Sequence, residues 1–423
     1  MSYLVWRHLF INHLSVSEWQ AGAFWLLFMI HPIWEEQVYF ELQLVQISAG
    51  LVLLGLIMNG CFICAVRKQT SLLIPAVLGG ALLFSIYQAF VMLFIAAACL
   101  IFLLYYKNAK DDLVRAADVL RYCGVYIAVF LAAYLINGMI TRLWFVSSDY
   151  LTSQINWGTL GFEACVNNIF AHIKDVVTGN GLFFSIGYSF TAVFVCIAAI
   201  VRLVTCGNKK FNLLYLSAIA LFEIAPFLLT IYMGKIPLVR TQWALPFVIA
   251  GNFILLFQWC PQRIRLLFAA AALILGWRQF YTVNRLEYTD RLRYQSDVEL
   301  SNRVIHDIEK LGLQNKPAAF IGNRTFRIPA SGARGETIGL SFFDYDMVPE
   351  PHYYFSSSRI VSFMNAIGIN LQCVPPEQIG AARQIAQGMP CWPQEGGIAD
   401  AGDFIVVKLS EDQYYEEDFG QIR

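Results

Sequence analysis

Apolar residues run along this chain in long blocks separated by short polar clusters, and after residue 283 they give way to a mixed pattern. About twenty consecutive apolar residues are needed for a helix to cross the hydrocarbon of a bilayer. Runs of that kind predict spans near Leu14–Ile33, Leu42–Val66, Tyr122–Ile140, Leu182–Val204, Leu213–Met233, Thr241–Cys260 and Ile264–Val283. The stretch Leu72–Tyr106 is too long for one span, and Ser85-Ile86-Tyr87-Gln88 interrupts it near the middle, so it predicts two short helices forming a hairpin. Beyond residue 284, Asp297–Leu311 has helical apolar spacing at Val298, Val304, Ile305, Ile308 and Leu311. Ala318–Gly322 and Phe404–Leu409 read as strands, with a further helix over Ser357–Ile367. The predicted fold is an all-α polytopic membrane bundle of about nine crossings over 1–283, followed by a small α/β domain over 284–423.

Composition agrees with this reading, since 57% of the 423 residues are hydrophobic and 14% charged, more apolar than a single aqueous core requires. The 30 basic and 30 acidic side chains cancel, so no net field recruits nucleic acid. Their distribution is more informative, because lysine and arginine in short loops stay on the cytoplasmic side. Arg67 and Lys68; Lys107, Lys110, Arg115 and Arg121; Arg202, Lys209 and Lys210; and Arg263 and Arg265 fall in alternate loops when Leu72–Tyr106 is counted as a hairpin. The opposite loops are poor in basic residues: Glu35–Glu41 has none, Trp144–Gly181 has Lys174, and Gly234–Arg240 has Lys235 and Arg240. The N-terminus is therefore expected inside and the tail outside. Lys107–Arg121 reads as an interfacial helix or a plain connector. Met1–Ser15, broken by Arg7, His8, Asn12 and His13, lacks the pattern of a cleavable signal peptide.

Most of the ten cysteines lie in apolar runs, where thiols act as small hydrophobes. Cys61 and Cys64 have no neighbouring pair that would complete a metal site, whereas Cys373 and Cys391 could form a disulfide if the tail is outside. The tail carries no G-x-G-x-x-G loop, P-loop or zinc spacing, and no cofactor is expected, while the sequence leaves the metal requirement open.

Several short segments, in their order along the chain, resemble the bacterial O-antigen glucosyltransferase family of serotype conversion. In the tail they are Tyr288–Asp297 leading into a helix and the strand ending at Gly322, then Met389-Pro390-Cys391-Trp392-Pro393 before a glycine pair and the Asp403–Leu409 strand. In the membrane they are Tyr87-Gln88 and Arg240-Thr241-Gln242-Trp243-Ala244-Leu245-Pro246. The resemblance implies an inner-membrane enzyme, similar to C-type glycosyltransferases. Such an enzyme takes glucose from a polyprenyl phosphate and attaches it to lipopolysaccharide O-antigen in the periplasm. The family usually opens with a further span, an outer loop bearing paired acidic residues and a second span, so this chain is expected to start just before the third.

Sugar transfer from a lipid phosphate needs a carboxylate at the acceptor hydroxyl and cationic or hydrogen-bonding groups at the phosphate. Glu35 and Glu36, in the first outer loop, are the candidate catalytic pair, or else ordinary interfacial carboxylates. Tyr87 and Gln88 at the outer tip of the hairpin, Arg240 at the outer end of a span, and Arg291 at the start of the tail are the candidate donor-binding residues. Tyr87 and Arg240 could equally be interfacial anchors, and Asp290, Arg291 and Arg293 could cap the following helix. Glu223 within a span is functional or bonded to a neighbouring helix. Asp149, Glu163, His172 and Asp175 share the long outer loop, His172 fitting a structural role better than a base. The alternative function is a non-catalytic membrane protein that binds or translocates a lipid-linked sugar, with a transporter ranked below it.

Overall fold

The computed structural model describes residues 1–106, 116–144, 154–205, 209–344 and 354–411. Lys107, Lys110, Arg115 and Asp149, and with them most of the expected interfacial helix, lie outside the described residues. The chain forms two compact units, Met1–Val283 and Asn284–Arg423.

The first unit is helical: α1 (Ser2–Leu14), α2 (Glu18–Met29), α3 (Ile33–Val38), α4 (Glu41–Arg67), α5 (Leu73–Ile86), α6 (Ala89–Tyr105), α7 (Ala116–Trp144), α8 (Phe162–Thr178), α9 (Gly187–Thr205), α10 (Lys209–Ile224), α11 (Leu228–Met233) and α12 (Ala244–Trp259). α13 (Gln262–Lys310) starts in this unit and continues into the next. Four helices among the described residues are long and apolar enough to cross a membrane: Glu41–Arg67, Ala117–Trp144, Asn212–Met233 and Gln262–Lys310. Shorter apolar helices occupy Thr70–Ile86, Ala89–Tyr105, Gly187–Val201 and Ala244–Trp259. This is a membrane protein.

Two departures from the sequence pattern have local causes. The stretch Leu14–Ile33 does not form one helix. Ser15 turns left-handed (φ 53°), Ser17 caps α2 in a reciprocal box with Gln20, and an ion pair from Arg7 to Glu18 ties α1 to α2. The stretch after Trp144, read from sequence as a long loop, contains α8, whose buried Cys165, Asn168, His172 and Val176 recur at helical spacing.

The break between α5 and α6 is narrow: Tyr87 alone is extended (φ −162°, ψ 132°), and Gln88 already has helical angles. At the centre, α12 is buried from Ala244 through Phe257, packed by α2, α6 and α9. A helix apolar all round belongs in such a position.

In the second unit the sheet order is β1-β3-β2, with β1 (Ala318–Ile321) parallel and β2 (Ile398–Asp400) antiparallel to β3 (Ile405–Lys408). Period-two alternation divides the core. Ala318, Phe320, Ile405 and Val407 join Val304, Ile308 and the helix α14 (Tyr354–Ala366) on one face. On the other, Ala319, Ile321 and Val406 meet α15 (Ile379–Gln387). Cys373 and Cys391 are not joined to each other, so the structure does not contain the disulfide allowed by the sequence.

Candidate functional site

Three segments separated widely in sequence meet in the first unit: α3, the Tyr87-Gln88 break, and the turn Gly234–Trp243 that enters α12. α3 follows Pro32 and packs against the helical turn Val239–Thr241. Glu36 and Gln37 are fully buried on it, and Glu35 is half-buried. Arg240 on the facing turn is also half-buried and holds its guanidinium 4.3 Å from the centre of the Phe40 ring, a cation–π contact. The acidic pair and the cation thus lie on elements in direct contact.

Trp243 joins the third segment. Its indole stacks on Trp34 of α3 (5.3 Å, 14°) and on Tyr87 (5.0 Å, 25°), with Phe90 edge-on at 5.1 Å. Trp34 is fixed by donating from Nε1 to the Phe28 carbonyl at 2.7 Å. Aromatic pairs of this kind each add roughly 0.5–1.5 kcal/mol beyond the area they bury, so the rings bind the three segments together.

The turn is held from its other side by α8. Asn168 donates to the Gly234 carbonyl at 3.2 Å. His172, buried, places Nε2 3.1 Å from Gln242 Oε1 and Nδ1 2.5 Å from Thr230 Oγ1. Gln242 Nε2 donates to the Pro237 carbonyl at 2.9 Å. Burial lowers the His172 pKa from its usual 6.5, while the Gln242 bond and nearby Asp175 act in the opposite direction. Gly234 has a positive φ of 67°, which favours glycine, and a Cβ there would crowd Cys165 Sγ at 3.0 Å.

The structure therefore brings together Glu35, Glu36, Tyr87 and Arg240 of the residues singled out from sequence. Gln88 is exposed at the break beside them. Arg291 is exposed on α13 within the second unit. In that unit Arg293 is buried, 2.7 Å from Asp290 and 3.4 Å from Asp297, and these carboxylates accept from the Gly339 and Phe342 amides. Asp290 and Arg293 thus fasten a loop to a helix. Glu223 accepts a 3.3 Å bond from Asn252 of α12, which is the neighbouring-helix alternative. Glu163 is exposed, and Asp175 accepts from Asn180.

Sequence reasoning missed Gln37 and the support that Trp34 gives to Trp243. The only available signal was adjacency to the acidic pair in Trp34-Glu35-Glu36-Gln37. Among the described residues no group of three or more His, Cys, Asp or Glu side chains is placed to hold a metal ion.

No curated protein and no solved structure matches this chain. A family model does, that of glucosyl transferase GtrII, over residues 2–257. Glu35, Glu36, Tyr87, Gln88 and Arg240 lie inside the matched segment and Arg291 outside it. The match takes in more than half of the 423 residues, and the chain belongs to the GtrII glucosyl transferase family.

Proposed function

We propose that this protein is a glucosyltransferase of the bacterial inner membrane that moves glucose from a polyprenyl phosphate carrier to O-antigen lipopolysaccharide on the periplasmic side. In this reading residues 1–283 cross the bilayer about nine times with the N-terminus in the cytoplasm, and residues 284–423 form a periplasmic domain. The observation that carries the proposal is the packing of α3 on the Arg240 turn, which puts two carboxylates and a cation on touching elements at the ends of apolar helices.

The chemistry follows from those groups. An acceptor hydroxyl attacks the anomeric carbon of the donor glucose, forming one C–O bond as the bond to the phosphate oxygen breaks. Glu35, the more accessible carboxylate, takes the hydroxyl proton, and Glu36 beside it orients the acceptor. Arg240 balances the charge gathering on the leaving phosphate, and Tyr87 and Gln88 border the same place. Arg291 is a further donor-phosphate contact in this reading.

The test uses membranes containing the full chain, polyprenyl phosphoglucose and O-antigen acceptor. Replacing Glu35 and Glu36 together by Gln should lower transfer by about 10²–10⁴-fold, the usual range for loss of general acid–base catalysis. Arg240→Ala should raise the KM for donor. Wild-type rates in the double variant would remove the catalytic assignment, and donor binding unchanged in Arg240→Ala would remove the phosphate assignment.

A further inference from the structure

We propose that Gln37, together with the indole N–H of Trp243, recognises hydroxyl groups of the hexose being transferred. The inference rests on the transferase reading above and assigns sugar recognition within that site.

Gln37 is fully buried, yet among the described residues neither its Nε2 nor its Oε1 has a hydrogen-bond partner. The same holds for Trp243 Nε1, also fully buried. The two belong to one place. Trp34 lies three residues before Gln37, hence on the same side of α3, and it stacks on Trp243 at 5.3 Å. Buried polar groups are nearly always paired in folded proteins, because an unpaired one gives up its hydration for nothing. Gln242, in the same site, follows that rule at both ends of its amide, with His172 and with the Pro237 carbonyl. Gln279 shares the unpaired state, but on α13, far in sequence from every element of the site.

The chemistry of the unpaired atoms limits what completes them. Together they offer the N–H groups of an amide and an indole and one carbonyl oxygen. A phosphate only accepts and would leave Gln37 Oε1 unpaired. An isoprenoid chain neither donates nor accepts. A sugar hydroxyl does both, and adjacent hydroxyls can engage the two ends of one amide. The surroundings suit a sugar as well: a carboxylate on the preceding residue, Glu36, and the stacked rings of Trp34, Trp243 and Tyr87. With Gln37 and Trp243 closed off from solvent here, donor entry requires the elements packed around them to open and close again over the sugar.

The experiment compares Gln37→Leu and wild type as full-length chains in membranes, using polyprenyl phosphoglucose and a set of donors each lacking one glucose hydroxyl. Gln37→Leu should reduce kcat/KM for the glucosyl donor by about tenfold or more, as expected when a site built to bind a hydroxyl loses its partner. One deoxy donor should be poor for wild type and lose nothing further in the variant. The thermal midpoint of Gln37→Leu should be no lower than that of wild type, since the change removes unpaired polar atoms. Trp243→Phe removes the N–H together with three of the nine ring atoms, so its signature is the part of its loss confined to donors bearing one hydroxyl, on top of any loss common to all donors from the smaller ring; it also carries the test if Gln37→Leu does not fold. Wild-type kinetics in both variants, or an equal loss for every donor, would overturn the inference while leaving the transferase reading intact. A wild-type chain that transfers no sugar from any donor would overturn both.

Discussion

His172 shows how one side chain sets the shape of the site without entering its chemistry. Gln242 gives its Nε2 to the Pro237 carbonyl, so its oxygen faces His172 Nε2, which must carry a proton, and in the neutral ring Nδ1 then accepts from the Thr230 hydroxyl. Burial, which lowers the pKa, favours that neutral ring. A folded-state value below the usual 6.5 means that this contribution to stability is complete above 6.5 and is lost as pH falls through the lowered value. His172→Leu should destabilise the protein by about 1–3 kcal/mol by leaving Gln242 Oε1 and Thr230 unpaired. Thermal unfolding in detergent checks both points, because the part of the pH dependence due to His172 should vanish in the variant. At this scale the sequence exposed only part of the site. Glu35, Glu36 and Arg240 announce themselves as charges beside apolar runs, and Tyr87 as a break in one. The burial of Gln37 and the partners of His172 depend on segments some 60 to 200 residues away meeting in space, which no local pattern encodes.

Among the elements, α5 and α7 pack closely because small residues meet between them. A Cβ on Gly80 would lie 2.8 Å from the Ala133 Cβ, and neither atom can rotate away. Small residues at such contacts are the usual means by which membrane helices approach one another. Gly80→Ala should therefore push α5 from α7 and lower stability by about 1–3 kcal/mol, the common cost of overpacking, read as a drop in thermal midpoint in detergent. Gly60→Ala in α4, with nothing within 4 Å of its added Cβ, is the comparison, expected to lose no stability because the same change there brings only alanine's helix propensity. Helices of this kind were legible wherever length and hydropathy alone decide them, as in α4 and the α5–α6 pair. The division of Leu14–Ile33 was less so, because it turns on local details, a capping box at Ser17 and a left-handed Ser15, within a stretch whose average hydropathy suits a span. α8 was passed over for the opposite reason: its apolar residues line one side at helical spacing and never form a block.

At the scale of the whole chain, the aromatic stack constrains how the first unit is threaded. Phe40, Tyr87 and Arg240 meet at one end of the helices, so an even number of passes must separate each from the next. In the proposed topology α4 and α5 supply two passes between Phe40 and Tyr87. α6, α7, α9 and the α10–α11 pair supply four between Tyr87 and the Arg240 turn. The same parity arises from lysine and arginine in alternate loops, an argument that uses none of these contacts. Two independent lines thus favour counting Leu72–Tyr106 as two passes and placing the site on the face poor in basic residues. The prediction is a labelling pattern in a cysteine-free version of the full chain expressed in bacteria. Cysteine at the exposed Gln88 should react with a membrane-impermeant maleimide in intact spheroplasts, and cysteine at the exposed Gln69 only after permeabilisation. Cysteine at the exposed Gln394 should behave like Gln88 if the tail is periplasmic. Reaction at Gln69 but not Gln88 would invert the topology. It would also leave Glu35, Glu36 and Arg240 on the cytoplasmic side, out of reach of a periplasmic polysaccharide. Reaction at Gln88 without Gln394 would keep the site outside and require one fewer or one more crossing between α12 and the tail.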